Sequence, residues 1–134
     1  MGRAVFDLLD HRIAVARLGS ADRLAEDGAY DVATSFLVVH EIAPDLKPGV
    51  FAAVARALAP GGAFLIFDEA YPETDAALQT MPTRFAALAQ WFELIWGNRL
   101  NTRTELHDLC AEANLRVTDE TTFSRFHIMV AGKE

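Results

Sequence analysis

Two apolar, strand-like segments with a helical segment between them occupy the middle of this sequence. The first runs from Asp31 to Val39 and the second from Ala63 to Phe67. Nearly continuous apolar runs of this kind are typical of strands that are covered on both faces. The helix between them is predicted to begin at Lys47-Pro48-Gly49 and to end at Pro60-Gly61-Gly62. A strand, a helix and a second strand in this order predict a right-handed βαβ unit.

Three further segments of the chain show the residue pattern of a strand, of a helix or of a helix start. A short strand is predicted from Ile13 to Leu18, where apolar and polar residues alternate sufficiently. A mostly apolar helical region is predicted from Glu73 to Trp96, with an interruption at Pro82. Thr102 and Glu105 have the spacing of a capping box, so another helix is predicted to begin there.

The last two strand-like segments are joined by only two residues. They run from Leu115 to Phe123 and from Phe126 to Ala131, and they predict an antiparallel hairpin at the sheet edge. No repeat, low-complexity tract or linker interrupts the 134 residues. Residues 1–134 are therefore predicted to form a single α/β domain with a mostly parallel sheet and a C-terminal antiparallel hairpin.

Charge and composition exclude several classes of function. The net charge of −7 predicts that nucleic acid is not a partner, since binding of phosphates requires clustered Lys and Arg. The single cysteine, Cys110, cannot form an internal disulfide. The apolar runs are too short for a membrane span, and the N-terminus does not resemble a signal peptide. We expect a soluble cytoplasmic protein whose partners are small molecules or proteins.

Ionisable residues follow both central strands directly. His40-Glu41 comes after the first strand and Asp68-Glu69 after the second. Adjacent parallel strands release their carboxyl ends along one rim of the sheet, where such folds bind ligands, so these groups are predicted to converge. No set of His, Cys, Asp and Glu residues has the spacing of metal ligands, and we therefore predict no metal site.

The order of these parts resembles the C-terminal half of a class I S-adenosylmethionine (SAM)-dependent methyltransferase. The stretches that carry the resemblance are GSADRL, YDVATSFLVVHEI, LAPGGAFLIFDEAY, TELHDLCAEANL and FSRFHIMVAGK. The resemblance implies an incomplete Rossmann-like sheet, SAM as cofactor and a small-molecule acceptor of the methyl group. It also implies that Gly19, Ser20 and Ala21 contact the adenine, and that Phe36 and Leu37 line the methionine side of the cofactor.

The resemblance is specific enough to assign two catalytic roles. In small-molecule O-methyltransferases of the plant type, a His after the fourth strand is the general base, and His40 looks like its counterpart. Asp68 resembles the carboxylate that orients that His. The roles agree with the chemistry, because an imidazole near neutral pH can take the proton of an acceptor hydroxyl while a carboxylate fixes its tautomer.

The family's first strand and Gly-rich cofactor loop have no counterpart in this sequence, so the chain is expected to be a truncated form of the fold. An alternative alignment makes Ala4 to Leu8 the family's second strand, with Asp7 as the ribose-binding acid and His11 to Glu26 as the following helix. That alignment is less favourable, because Gly19-Ser20 interrupts the helix and the third strand is absent.

Three hypotheses of function follow from the sequence. The chain is an enzyme completed by another segment or chain, a non-catalytic module for dimerisation or binding, or, least supported, half of a nicotinamide-dependent oxidoreductase. In the methyltransferase strand order, the fourth strand pairs with the first, so its edge is open here. The strand that begins at Ile13 or a second chain can cover that edge, and we expect a homodimer.

Overall fold

The computed structural model describes residues 27–133, apart from the side chains of residues 81–83. The predicted strand at Ile13 to Leu18 and the alternative alignment from Ala4 to Glu26 lie outside these residues. The described part contains five strands and four α-helices, with one 3-10 turn after the first strand. They are β1 (Tyr30–Phe36), the 3-10 turn (Val39–Glu41), α1 (Lys47–Ala57), β2 (Leu58–Tyr71), α2 (Asp75–Leu78), α3 (Met81–Ile95), β3 (Asn101–Thr102), α4 (Arg103–Glu112), β4 (Leu115–Phe123) and β5 (Phe126–Lys133).

The sheet has the strand order β1-β2-β5-β4, and the short β3 pairs with the end of β2. β1 and β3 run parallel to β2, whereas β5 is antiparallel to both of its neighbours. The α/β fold, the parallel βαβ unit and the C-terminal hairpin are thus confirmed. Within the hairpin, β4 lies at the sheet edge, and β5 lies inside the sheet between β2 and β4.

The two central strands have different bounds from those predicted. β1 ends at Phe36 because Leu37 adopts a left-handed conformation with φ of 53°, after which the chain forms the 3-10 turn. β2 begins before Pro60-Gly61-Gly62 rather than after it. These residues form an irregularity in the pairing with β1, where Gly61 has φ of 75°. Proline and glycine are tolerated at such a bulge, because the ladder is locally interrupted there.

The local signals for helix ends agree with the structure. Thr102 Oγ1 accepts a hydrogen bond from Glu105 N at 3.1 Å, and Glu105 Oε2 accepts one from Thr102 N at 2.9 Å, so the predicted capping box is confirmed. The apolar region from Glu73 to Trp96 forms two helices, α2 and α3. Pro82 lies in the first turn of α3, where its missing N–H needs no partner. No helix of residues 27–133 combines the length and apolar character that a membrane span requires.

The core lies on one face of the sheet, beneath α1 and α4. Phe51 of α1 and Leu106 of α4 are fully buried against Ile66 of β2 and Met129 of β5. On the opposite face of β1, Val32 and Phe36 are exposed by 60% and 66%, and Leu65 of β2 by 37%. Apolar side chains on this face are thus only partly covered by residues 27–133, unlike those of the buried face.

Candidate active site

The candidate site lies where β1 ends beside Asp68 of β2, three residues before the end of β2 at Tyr71. Leu37 N still donates to Phe67 O at 2.8 Å, so the chain stays beside β2 until the left-handed residue Leu37 redirects it. The 3-10 turn that follows brings His40 beside Asp68 of β2. The two groups that sequence reasoning placed on one rim are therefore in direct contact.

Asp68 holds His40 through both its backbone and its side chain. The imidazole Nδ1 of His40 forms a hydrogen bond with Asp68 Oδ1, and His40 N donates to Asp68 Oδ2 at 3.0 Å. Glu69 N donates to Asp68 Oδ1 at 2.8 Å. Asp68 is fully buried, so these bonds compensate the loss of water around its carboxylate. The arrangement fixes the imidazole ring and leaves its Nε2 for a ligand.

The charge around His40 favours its protonated form. The hydrogen bond to Asp68 raises the pKa of His40, burial opposes that change, and the negative charges of Asp68, Glu93 and Glu41 reinforce it. A base must be neutral before it accepts a proton. The neutral fraction of His40, and with it the capacity of His40 to act as a base, increases as the pH rises above the ordinary pKa of histidine.

Two further carboxylates lie near the imidazole of His40. Glu41 Oε1 lies 3.5 Å from His40 Nε2, and Glu93 of α3 adds a carboxylate, so that the ligand atoms of the three residues lie within 4.8 Å of one another. We call His40, Glu41 and Glu93 the imidazole–carboxylate cluster. Asn98 Nδ2 donates to Glu41 Oε2 at 3.3 Å and helps to orient that carboxylate. Glu41 was recognisable as a rim residue, but sequence reasoning missed Glu93.

A buried lysine connects α1 with the loop that follows α3. Lys47 is 3% exposed, and its Nζ donates to Asn101 Oδ1 at 2.7 Å and to Arg99 O at 3.3 Å. Burial lowers the pKa of Lys47. Gln90 Oε1 of α3 accepts from Leu100 N at 2.7 Å in the same region. These bonds position α3 relative to the sheet, and with it Glu93.

The structure describes only two of the five residues that were predicted to contact the cofactor. Gly19, Ser20 and Ala21 lie outside it. Phe36 and Leu37 lie on the same rim as His40, and the ring of Phe36 stacks on Phe67 with centroids 4.5 Å apart. Phe67 and Asp68 alternate along β2, so the Phe36 ring lies on the opposite face of the sheet from the Asp68 carboxylate. The cofactor roles of these five residues remain predictions.

Among residues 27–133, an apolar groove of about 370 Å³ follows β1 and the adjoining side of α1. Tyr30, Thr34 and Ser35 form its polar lining, and no charged side chain of the described residues contributes to it. SAM carries a charged amino-acid group and ribose hydroxyls that need polar partners. The described residues therefore fit one apolar wall of a SAM site and do not fit the whole cofactor.

No protein-family model and no curated protein sequence matches this chain. Several solved structures match it over most of its length. TnmH is 26% identical with a TM-score of 0.73, and the match covers 87% of this chain and 34% of TnmH. The methyltransferase CalO6 is 19% identical with a TM-score of 0.71, over 84% of this chain and 38% of CalO6.

A third solved structure was determined with a cofactor product. It is the 1,6-didemethyltoxoflavin-N1-methyltransferase of Burkholderia thailandensis with bound S-adenosylhomocysteine, 20% identical with a TM-score of 0.62, over 84% of this chain and 48% of that protein. The present chain thus spans between about a third and a half of these three proteins. By its architecture, the chain belongs to the class I SAM-dependent methyltransferase fold.

Proposed function

We propose that this chain is the acceptor-side part of a SAM-dependent methyltransferase that acts on a hydroxyl group of a small molecule. The observation that carries the proposal is the contact between His40 and the buried Asp68 near the carboxyl ends of two parallel strands. Ligands of open α/β sheets bind at this position. The solved structures with the same fold include methyltransferases of small molecules, which supports the reaction class.

His40 Nε2 accepts the proton of the acceptor hydroxyl in this proposal. Asp68 keeps Nδ1 protonated and directed inward, and it stabilises the imidazolium that forms after the transfer. SAM, when bound, supplies the methyl group. The residues of this chain hold the acceptor oxygen beside a base and exclude water from one side of it.

The cofactor site needs a second segment or chain in this proposal. The apolar face that includes Val32, Phe36 and Leu65 is only partly covered by the described residues, and among residues 27–133 the outer edge of β1 has no partner strand. A complete cofactor site requires polar partners that the groove along β1 does not contain. We infer that a homodimer or an additional segment of the protein covers these surfaces.

The proposal is tested by measuring SAM binding and methyl transfer separately. Titration calorimetry with SAM is followed by transfer of a labelled methyl group to a panel of small hydroxylated acceptors. His40→Ala should retain SAM binding and lose transfer by a factor on the order of 10²–10⁴. His107→Ala, which changes a half-buried histidine on α4, should retain both. Undiminished transfer by His40→Ala contradicts the assignment of the base.

A non-catalytic binding module is the second candidate function. Its support is the apolar surface of α3 and its end, where Trp91 and Trp96 are exposed by 73% and 78%. Exposed apolar surface of this kind marks association sites in soluble proteins. Absence of heat with millimolar SAM, together with a dimer in light scattering, favours this candidate. A monomer at high concentration contradicts the homodimer.

A further inference from the structure

We propose that the imidazole–carboxylate cluster binds one divalent ion of the zinc class, through His40 Nε2 and one oxygen each of Glu41 and Glu93. Zinc accepts nitrogen and carboxylate ligands together, and three protein ligands with an open fourth position are common at reactive sites. The sequence predicted no metal, because Glu93 is far from His40 along the chain and approaches it only through the packing of α3.

The distances in the cluster suit a single ion. Two donor atoms that bind one tetrahedral ion at about 2.0–2.2 Å lie roughly 3.3–3.6 Å apart. His40 Nε2 and Glu41 Oε1 are separated by 3.5 Å. A carboxylate oxygen of Glu93 lies within 4.8 Å of a ligand atom of His40 and of one of Glu41, and Glu93 is only partly buried, so rotation of its side chain can close the remaining gap.

Outer hydrogen bonds orient two of the three ligands. The Nδ1 side of His40 is bonded to the buried Asp68, which directs Nε2 toward the carboxylates. Asn98 Nδ2 is bonded to the second oxygen of Glu41 and leaves Oε1 toward His40. A metal-bound histidine almost always has such a carboxylate on its other nitrogen.

The local charge also favours a cation. Asp68, Glu41 and Glu93 all place carboxylate charge near the His40 imidazole. A protonated imidazole neutralises only one of these three charges. Lys47, which packs nearby from α1, donates to Asn101 and to the Arg99 carbonyl. The positive charge of Lys47 acts on Asp68, so a divalent ion at the cluster offsets mainly the charges of Glu41 and Glu93.

Metal binding has a consequence for the proposed function, on which this step rests. The ion and the acceptor proton require the same lone pair of His40 Nε2, so they exclude each other. Zinc should therefore inhibit methyl transfer in competition with the acceptor, and a chelator should restore it. The binding itself needs neither SAM nor an acceptor, so it can be tested even if the proposed function is wrong.

The test is titration of the full chain with Zn²⁺ by calorimetry, combined with the visible absorption of Co²⁺ as a replacement ion. We expect one saturable site per chain, with Co²⁺ bands that Zn²⁺ displaces. Glu93→Gln and Glu41→Gln should each weaken binding by at least about tenfold, as should Asn98→Ala through the outer bond. His40→Ala should abolish the site.

Matched controls separate this cluster from other histidines and acids of the surface. His107→Ala tests the second imidazole–carboxylate contact, in which His107 Nε2 lies 2.8 Å from Glu120 Oε2, and should leave zinc binding unchanged. Glu112→Gln changes an exposed acid on α4 and should also have no effect. Lack of saturable binding at millimolar Zn²⁺, or full binding by Glu93→Gln and His40→Ala, overturns the proposal. Circular dichroism confirms that each variant is folded.

Discussion

Replacement of Asp68 by Asn tests the contact on which the candidate site depends. Both oxygens of the Asp68 carboxylate accept hydrogen bonds, Oδ2 from His40 N and Oδ1 from Glu69 N and the His40 ring. An amide of the same shape has one oxygen only. In either orientation, its NH2 group faces a donor, so at least one buried N–H loses its partner.

The lost hydrogen bonds lower the stability of the protein. A buried donor without a partner costs about 1–3 kcal/mol, and bonds to a neutral oxygen are weaker than bonds to a carboxylate. We expect Asp68→Asn to lower the free energy of unfolding by about 2–3 kcal/mol. The pKa of His40 should fall at the same time, because the bond and the charge that raise it are removed.

Urea unfolding followed by circular dichroism measures the first effect, and an NMR titration of the His40 ring measures the second. Asp108→Asn is the matched control, since Asp108 is exposed on α4 and should change stability by less than about 0.5 kcal/mol. If Asp68→Asn unfolds at the same urea concentration as the unchanged protein and His40 titrates as before, the contact does not exist in solution.

Three further predictions concern stability. The pKa of His40 is raised above 6.5 in the folded protein, so its contribution to the free energy of unfolding is complete below pH 6.5 and should disappear as the pH rises through that raised pKa. The urea midpoint should fall over this pH range, and in Asp68→Asn it should not change with pH. The hydrogen bond from Arg103 holds the pKa of Glu120 at about 2, so the free energy of unfolding should fall by about 1 kcal/mol as the pH is lowered from 4.5 toward 2. Urea unfolding of Glu120→Gln should not show this loss. Thr102→Ala should cost about 1 kcal/mol in urea unfolding and Thr102→Ser much less, because serine preserves the cap; equal losses contradict the capping box.

Elements that depend on neighbouring residues could be predicted from the sequence. The capping box at Thr102 and the hairpin with its two-residue connection need only local hydrogen bonds and turn geometry. Asn114, which follows α4, adopts the left-handed conformation expected of a residue at a helix end. The physical reason is that these signals act within a few residues and are hardly changed by the rest of the fold.

The start of β2 could not be predicted in the same way. Pro60-Gly61-Gly62 is compatible with a turn and with a bulge, and local preferences do not distinguish them. The partner strand decides, because Tyr30 pairs with Leu58 before the irregularity and Val32 pairs with Ala63 after it. The hydrogen bonds on both sides of the Pro-Gly-Gly segment keep the chain in one 14-residue strand.

The same distinction applies to the candidate site. His40 and Asp68 could be selected because each directly follows a predicted apolar run, and the parallel pairing of β1 with β2 brings the two residues together, although β2 continues beyond Asp68 to Tyr71. Glu93 belongs to a helix whose position depends on distant bonds from Lys47 and Gln90 to the segment before β3. Sequence patterns identify which face of a helix is apolar, but they do not give its orientation against a sheet. The reactive residues next to the apolar runs can therefore be predicted from this sequence. The position of the Glu93 carboxylate depends on tertiary packing, and so does the choice between a proton and a metal ion at His40.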